Sequence, residues 1–227
     1  MKLHLYNSYK REKESFEPIR DGYVGLYTCG PTVYDYAHIG NFRTFIFEDL
    51  LKRWLIHLGY DVKHIMNITD VDDKTIKKAN DESVALNIIT DRYTSCFMED
   101  LKWLKMIPAD EFPRATDYID KMISMIQTLL DKNFAYKDND GSVYFDINSF
   151  QEYGCLTKLN IKGQKKDKRI NDDEYDKDSP QDFALWKGWK EEDGNVVWNA
   201  PWGKGRPGWH IECSAMSIDA LGDHFDI

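Results

Sequence analysis

The chain has no apolar run long enough to span a bilayer, and its opening residues, MKLHLYNSYKREKE, lack the pattern of a secretion signal. A membrane is thereby excluded as a partner, and a cytoplasmic location is expected. There is no excess of positive charge: 30 Lys and Arg stand against 39 Asp and Glu, a formal net charge of −9. That argues against a chain-wide basic surface, and DNA is not expected as a partner. Cysteines are few, at positions 29, 96, 155 and 213, and none lies in a short-spaced CxxC zinc pattern. In a reducing compartment they form no disulfide framework. No internal repeat is present. What remains is a globular composition, 42% hydrophobic and 14% aromatic over 227 residues, enough for one cored domain with an insertion.

Residues 27–44, YTCGPTVYDYAHIGNFRT, carry the most information. Strand-forming residues 23–28 end at Cys29, a Gly-Pro loop follows, and His38-Ile39-Gly40-Asn41 introduces an amphipathic helix over 42–58. Its predicted apolar face is Phe42, Phe45, Ile46, Leu50, Trp54, Leu55 and Leu58, with Gly59 just past its end. A strand, a glycine-containing loop and a helix start make an anion site of backbone N–H groups and helix dipole. His38 can donate to a phosphate oxygen, Gly40 leaves room for a flat ring, and Asn41 can donate its amide to phosphate or ribose. The alternative is a capped helix bearing a surface histidine.

Val62 to Ile68 reads as a second strand, parallel to the first because a helix makes the crossover. The fold class is therefore α/β, the start of a doubly wound parallel sheet, in which ligands sit beyond the carboxyl ends of the strands. Cys29 and Thr69 both follow strand ends. Residues 83–105 and 116–132 read as helices. Phe134–Lys137 and Ser142–Asp146 flank Asp138-Asn139-Asp140-Gly141, a hairpin signature. That hairpin breaks the strand-helix rhythm, so an inserted α+β subdomain is expected over 112–203, between catalytic portions at 1–111 and 204–227. Lys158, Lys162, Lys165, Lys166, Lys168 and Arg169 cluster just ahead of several acidic residues and read as a solvated loop.

PTVYDYAHIGN resembles the "HIGH" signature of the class I aminoacyl-tRNA synthetases, and with Thr28-Cys29-Gly30-Pro31 before it the cysteinyl form of that family. Asn41 stands where the second histidine of the signature would be. Three further stretches, NITDVDDK from Asn67, DFALWK from Asp182 and GRPGWHIECSAM from Gly205, match the same family. The resemblance runs from near Leu3 to Ile227. It implies a Rossmann-like catalytic fold with a connective insertion, one Zn²⁺, Mg²⁺ with ATP, and L-cysteine and tRNA(Cys) as substrates.

It also implies residue roles. Gly30, Pro31, Thr32, His38, Gly40 and Asn41 would bind ATP, with His38 and Asn41 acting in catalysis. Cys29 and Cys213 would ligate zinc. A thiolate ligand set suits zinc, and zinc separates a cysteine thiolate from a serine hydroxyl of nearly equal shape. Trp209 would wall the cysteine pocket, or serve as a core aromatic. Thr69 would hydrogen-bond near the amino acid, or cap the following helix. Asp70 is a first-turn carboxylate or a partner for the substrate ammonium. His210 and His224 are open as further ligands or as structural residues. The family's remaining zinc ligands and its lysine-rich KMSKS loop would lie beyond Ile227. The stretch is accordingly expected to be the N-terminal catalytic portion, inactive by itself. Two rival readings are a cysteine ligase of small-molecule thiol biosynthesis and a catalytically silent zinc or amino-acid binding fragment.

Overall fold

A computed structural model describes residues 3–156 and 182–227. The lysine-arginine cluster at 158–169 lies outside the described residues. The chain opens with a small antiparallel hairpin, β1 (His4–Asn7) and β2 (Glu12–Ser15). The nucleus of the catalytic portion follows: β3 (Tyr23–Thr28), α1 (Ile39–His57) and β4 (Asp61–Met66). β3 and β4 pair in parallel, Tyr23 opposite Asp61 and Thr28 opposite Met66, as a helical crossover requires. On the other edge of β3, Ile227 accepts from Tyr27 N–H at 2.8 Å and donates to Gly25 O at 3.1 Å, so residues 225–227 flank the same strand.

Helix α1 starts three residues earlier than its apolar pattern, because His38 caps it. It ends where Gly59 takes φ 92°. The expected apolar face is corrected by the structure. Phe42, Phe45 and Leu55 are buried, whereas Ile46, Leu50 and Trp54 are exposed. Lys52 takes a place on the buried side instead, its Nζ donating to Pro108 O at 2.8 Å. A long aliphatic stem with one satisfied ammonium can occupy such a position, and hydrophobicity alone does not anticipate it.

The region expected as one helix over 83–105 is preceded by a separate helix. α2 (Asp73–Glu82) stops at Ser83, which is left-handed at φ 54°, and α3 (Leu86–Trp103) begins anew. A 3-10 turn at Ala115–Tyr118 leads into α4 (Ile119–Asp131). The predicted hairpin forms as β5 (Ala135–Lys137) and β6 (Val143–Phe145), with Gly141 at φ 86° in the turn. With β7 (Phe183–Gly188), β8 (Trp198–Ala200) and β9 (Gly203–Pro207) it makes a five-stranded antiparallel sheet ordered β5-β6-β7-β9-β8. The sheet runs through Pro207 and hands directly to α5 (Trp209–Leu221). Its core joins Trp186, Val143, Met122 and Ile126 to Ile211, Ala215 and Met216 of α5. α5 is thus packed on the insertion, while Cys213 and Leu221 of the same helix approach β3 and the loop after it.

Candidate active site

The loops after β3 and β4 are zipped together. Thr69 N–H donates to Pro31 O and Val33 N–H donates to Thr69 O, both at 3.1 Å, with Thr32 and Thr69 bridged in parallel. The approach is close enough that a Cβ on Gly30 would stand 1.8 Å from the Asn67 carbonyl oxygen. Only glycine fits there. This closure brings Cys29 to the mouth of the crevice beside α5.

Cys29 Sγ and Cys213 Sγ are 3.7 Å apart, although 184 residues separate them in sequence. Two bonds of about 2.3 Å from one tetrahedral zinc would set their sulfurs about 3.8 Å apart, so the donor pair suits that ion. The hydrogen bond from Cys213 holds the Cys29 thiol down at about 7, while burial opposes it. Cys213 moves upward, through its bond to Cys29 and through burial. One sulfur of the pair is therefore readily a thiolate. Among the described residues no third His, Cys, Asp or Glu completes a cluster around them. His210, weighed as a ligand, has its ring against Phe183 at 4.8 Å and Trp209 at 5.4 Å. Trp209 is 57% exposed, so it is not a core aromatic. It precedes Cys213 by one helical turn on the same face of α5.

His38 is the N-cap of α1. Its Nδ1 accepts from Gly40 N–H at 3.0 Å, and its own N–H donates to Asn41 Oδ1 at 3.1 Å. A neutral ring that accepts at Nδ1 carries its proton on Nε2, where it is a donor. The capped helix and the donor histidine are thus one arrangement rather than alternatives. Two expectations shift accordingly. The Gly40 N–H is taken up by the cap rather than left for an anion. The space beside Gly40 belongs first to the His38 ring, whose Cε1 would lie 2.8 Å from an added Cβ.

Thr69 is buried and does not cap α2. Asp72 does, accepting from Lys74 N–H at 2.8 Å. Asp70 is also placed differently from the ammonium-binding expectation. Its carboxylate is buried and accepts from Thr116 N–H at 2.9 Å and Thr116 Oγ1 at 2.6 Å. Both oxygens anchor the 3-10 turn before α4, so Asp70 is not carried into the amino-acid pocket.

A second polar layer lies beneath the site. Thr28 Oγ1 meets His64 Nε2 at 2.9 Å. Burial, with Lys52 nearby, lowers His64 to about 4, so it is neutral near pH 7. Burial also raises Glu48, on α1 against Thr28, to about 7. Glu212 is almost fully buried, and neither of its oxygens makes a hydrogen bond of normal geometry among the described residues. Burial holds it well above its usual range, with Asp72 and Asp70 adding to the effect.

An ionic cluster fixes the insertion to α2. Lys187 Nζ is 2.7 Å from Asp73 Oδ2, Arg206 also pairs with Asp73, and Arg206 Nε is 2.9 Å from Asp193 Oδ1. Burial alone would raise Asp73. Arg206 and Lys187 outweigh it and leave the carboxyl below its ordinary value.

The sequence from residue 15 to 227 matches the family model described as "tRNA synthetases class I (C) catalytic domain". The chain belongs to that family. It is 54% identical over its whole length to a cysteine–tRNA ligase of Chlamydia trachomatis serovar D, covering 48% of that protein. It is 50% identical to the cysteine–tRNA ligase of Protochlamydia amoebophila, over 99% of this chain and 48% of that protein. The chain thus spans about half the length of these curated relatives. A crystal structure of a putative arginyl tRNA synthetase from Campylobacter jejuni superposes with TM-score 0.56 at 13% identity, covering 93% of this chain and 47% of that one. That likeness supports the Rossmann-like class I fold.

Asn67, Lys187, Arg206 and Glu212 each stand inside a quoted motif but carry no role there, and Glu48 and His64 lie outside every such motif. Asn67 carried a signal, since it follows the apolar residues of β4 at the carboxyl end where ligands sit. Glu48 and His64 carried none, because only the packing of α1 on the sheet buries them.

Proposed function

We propose that the natural gene product carrying this chain activates L-cysteine with ATP to cysteinyl-adenylate and transfers the cysteine to tRNA(Cys). The observation that carries this reading is the pair of thiols 3.7 Å apart at the carboxyl ends of a parallel strand pair, beside the His38 helix start. Identity of 50–54% to cysteine–tRNA ligases along the whole chain supports it.

Cys29 and Cys213 would hold the Zn²⁺. When bound, zinc supplies a preference for a thiolate over a neutral hydroxyl. Trp209 walls the side of the pocket one turn before Cys213, and Thr69 offers its hydroxyl from the floor. Cysteine and ATP meet above the zipped loops, and the cysteine carboxylate attacks the α-phosphorus as pyrophosphate leaves. His38 donates Nε2–H to the α-phosphoryl oxygen as charge develops there. Asn41 fixes the His38 backbone and turns its own amide N–H₂ toward phosphate or ribose. Gly30, Pro31, Thr32 and Gly40 shape the backbone that receives the nucleotide with its Mg²⁺. Catalysis here is positioning and charge stabilisation. The portions 1–111 and 204–227 form the catalytic body in this reading, and the antiparallel sheet is the connective insertion apart from β9, whose residues after Gly203 lead into α5. No helix among the described residues is long and apolar enough to cross a membrane.

ATP–pyrophosphate exchange with the gene product tests the reading, followed by transfer of labelled cysteine to tRNA(Cys). Cysteine-dependent exchange is expected, with kcat reduced about a hundredfold in His38→Ala at nearly unchanged cysteine KM. Exchange that ignores cysteine would refute the substrate, and a fully active His38→Ala would refute the role of the histidine.

A further inference from the structure

Asn67 has no part in the reading above, yet its buried side chain touches three of its elements. It lies just past β4 with 1% of its surface exposed. Its Oδ1 accepts from Gly30 N–H at 3.2 Å, in the peptide that directly follows Cys29. The same Oδ1 is 3.9 Å from Cys213 Sγ on α5. Its Nδ2 donates to Thr69 Oγ1 at 3.2 Å.

The orientation of the amide is dictated by its neighbours. A flipped amide would set N–H₂ against the Gly30 N–H and an oxygen against Thr69 Oγ1, leaving donor facing donor in a buried place. In the orientation found, the oxygen can serve only the β3 loop and α5, and the nitrogen serves the β4 loop. Thr69 Oγ1 therefore accepts from Asn67, and its own hydrogen is directed away from Asn67, on the side where the buried Glu212 carboxyl feels the Thr69 hydroxyl.

We propose that Asn67 is a positioning residue for the amino-acid pocket, setting the spacing of Cys29 and Cys213 and fixing the orientation of the Thr69 hydroxyl between them and Glu212. The proposal rests on the cysteine-activation reading for its ligand, but the spacing of the thiols is a property of the protein alone. The physical reason is the short lever arm. Gly30 N–H adjoins the Cys29 carbonyl carbon, so in the metal-free thiol form a single amide oxygen ties the backbone of Cys29 to the Cys213 thiol. No other side chain among the described residues joins Gly30, Thr69 and Cys213.

Two variants of the full gene product test this. Asn67→Ala removes donor and acceptor together. Asn67→Asp keeps the shape and the acceptor oxygen for Gly30 while removing the donor to Thr69, so a folding failure of the first leaves the test intact. In pyrophosphate exchange the cysteine KM should rise about tenfold in both, with ATP KM within about twofold of the parent, as for one buried hydrogen bond lost beside a ligand. A second arm is independent of the enzymatic reading. In chelator-treated protein, diamide should oxidise Cys29 and Cys213 to a disulfide, the thiols losing two electrons and two protons and the diamide being reduced to its hydrazine. Peptide mass mapping follows the rate, which should fall about tenfold in Asn67→Ala as the sulfurs lose their fixed spacing. Equal rises in cysteine and ATP KM would overturn the proposal in favour of a general structural role. Unchanged cysteine KM together with unchanged cross-linking would also overturn it. If the parent shows no cysteine-dependent exchange, the substrate reading fails, and the cross-linking rate alone decides the role of Asn67.

Discussion

Replacing Gly30 with alanine is the sharpest steric perturbation the site allows. The added Cβ would sit 1.8 Å from the Asn67 carbonyl oxygen and 3.0 Å from both the Asn67 carbonyl carbon and Met66 Cγ. A relaxed carbon–oxygen contact is about 3.3 Å, so the loops must separate by about 1.5 Å. Neither obstacle at Asn67 is a flexible side chain; both are backbone at the end of β4. The displaced segments carry Cys29 on one side and Thr69 on the other, and the bonds from Thr69 N–H to Pro31 O and from Val33 N–H to Thr69 O hold them together. Misplacement by about 1 Å is worth about a hundredfold in rate, and overpacking of this kind destabilises by about 1–3 kcal/mol. Gly30→Ala should therefore lose about two orders of magnitude in kcat/KM for cysteine while its thermal transition stays cooperative. Pyrophosphate exchange and calorimetry on the same preparation separate the two effects. Parental kcat/KM in a folded Gly30→Ala protein would refute the claim that the zipped loops set the site.

Other consequences follow from the buried charges. Arg206 and Asp193 are 5% and 4% exposed at their side chains, so Arg206→Ala leaves Asp193 buried without its cation and should destabilise by about 3 kcal/mol in urea titration. An unchanged midpoint would mean that the insertion is held by its apolar core alone. His64 binds no proton in the folded state until about pH 4, whereas the unfolded chain protonates near 6.5. The unfolded state thus holds more protons between those values, and stability should fall as pH drops from about 6.5 to about 4. His64→Asn should flatten that slope in denaturant titrations at stepped pH, and an identical slope would exonerate the histidine.

The parts of this molecule written in short-range chemistry were legible from the sequence. β3 was bounded residue for residue, because Tyr23–Thr28 is flanked by turn formers. The hairpin around Asp138–Gly141 followed from its turn residues, and the parallel pairing of β3 and β4 from the helix between them. The thiols of Cys29 and Cys213 were paired through the family resemblance, and the fold brings their sulfurs together. Less legible was whatever depends on which face of an element another element covers. Ile46, Leu50 and Trp54 share the helical pattern of Phe42 and Phe45, yet only the latter two meet α3 through Phe97. Asp70 reads like its acidic neighbours, and only the placement of Thr116 shows that both its oxygens are taken up by the turn before α4. The helix following Asp70 and the helix from 83 were both expected, and the left-handed Ser83 divides them.

In the function proposed above, Cys29 and Cys213 together select cysteine. The most direct test of that selection is cysteine- against serine-dependent pyrophosphate exchange by the natural gene product, measured beside Cys29→Ser and Cys213→Ser with bound zinc assayed in each. Exchange with cysteine but not serine is expected in the parent, with loss of both zinc and cysteine preference in each variant. Full zinc occupancy and undiminished cysteine preference in either variant would contradict it.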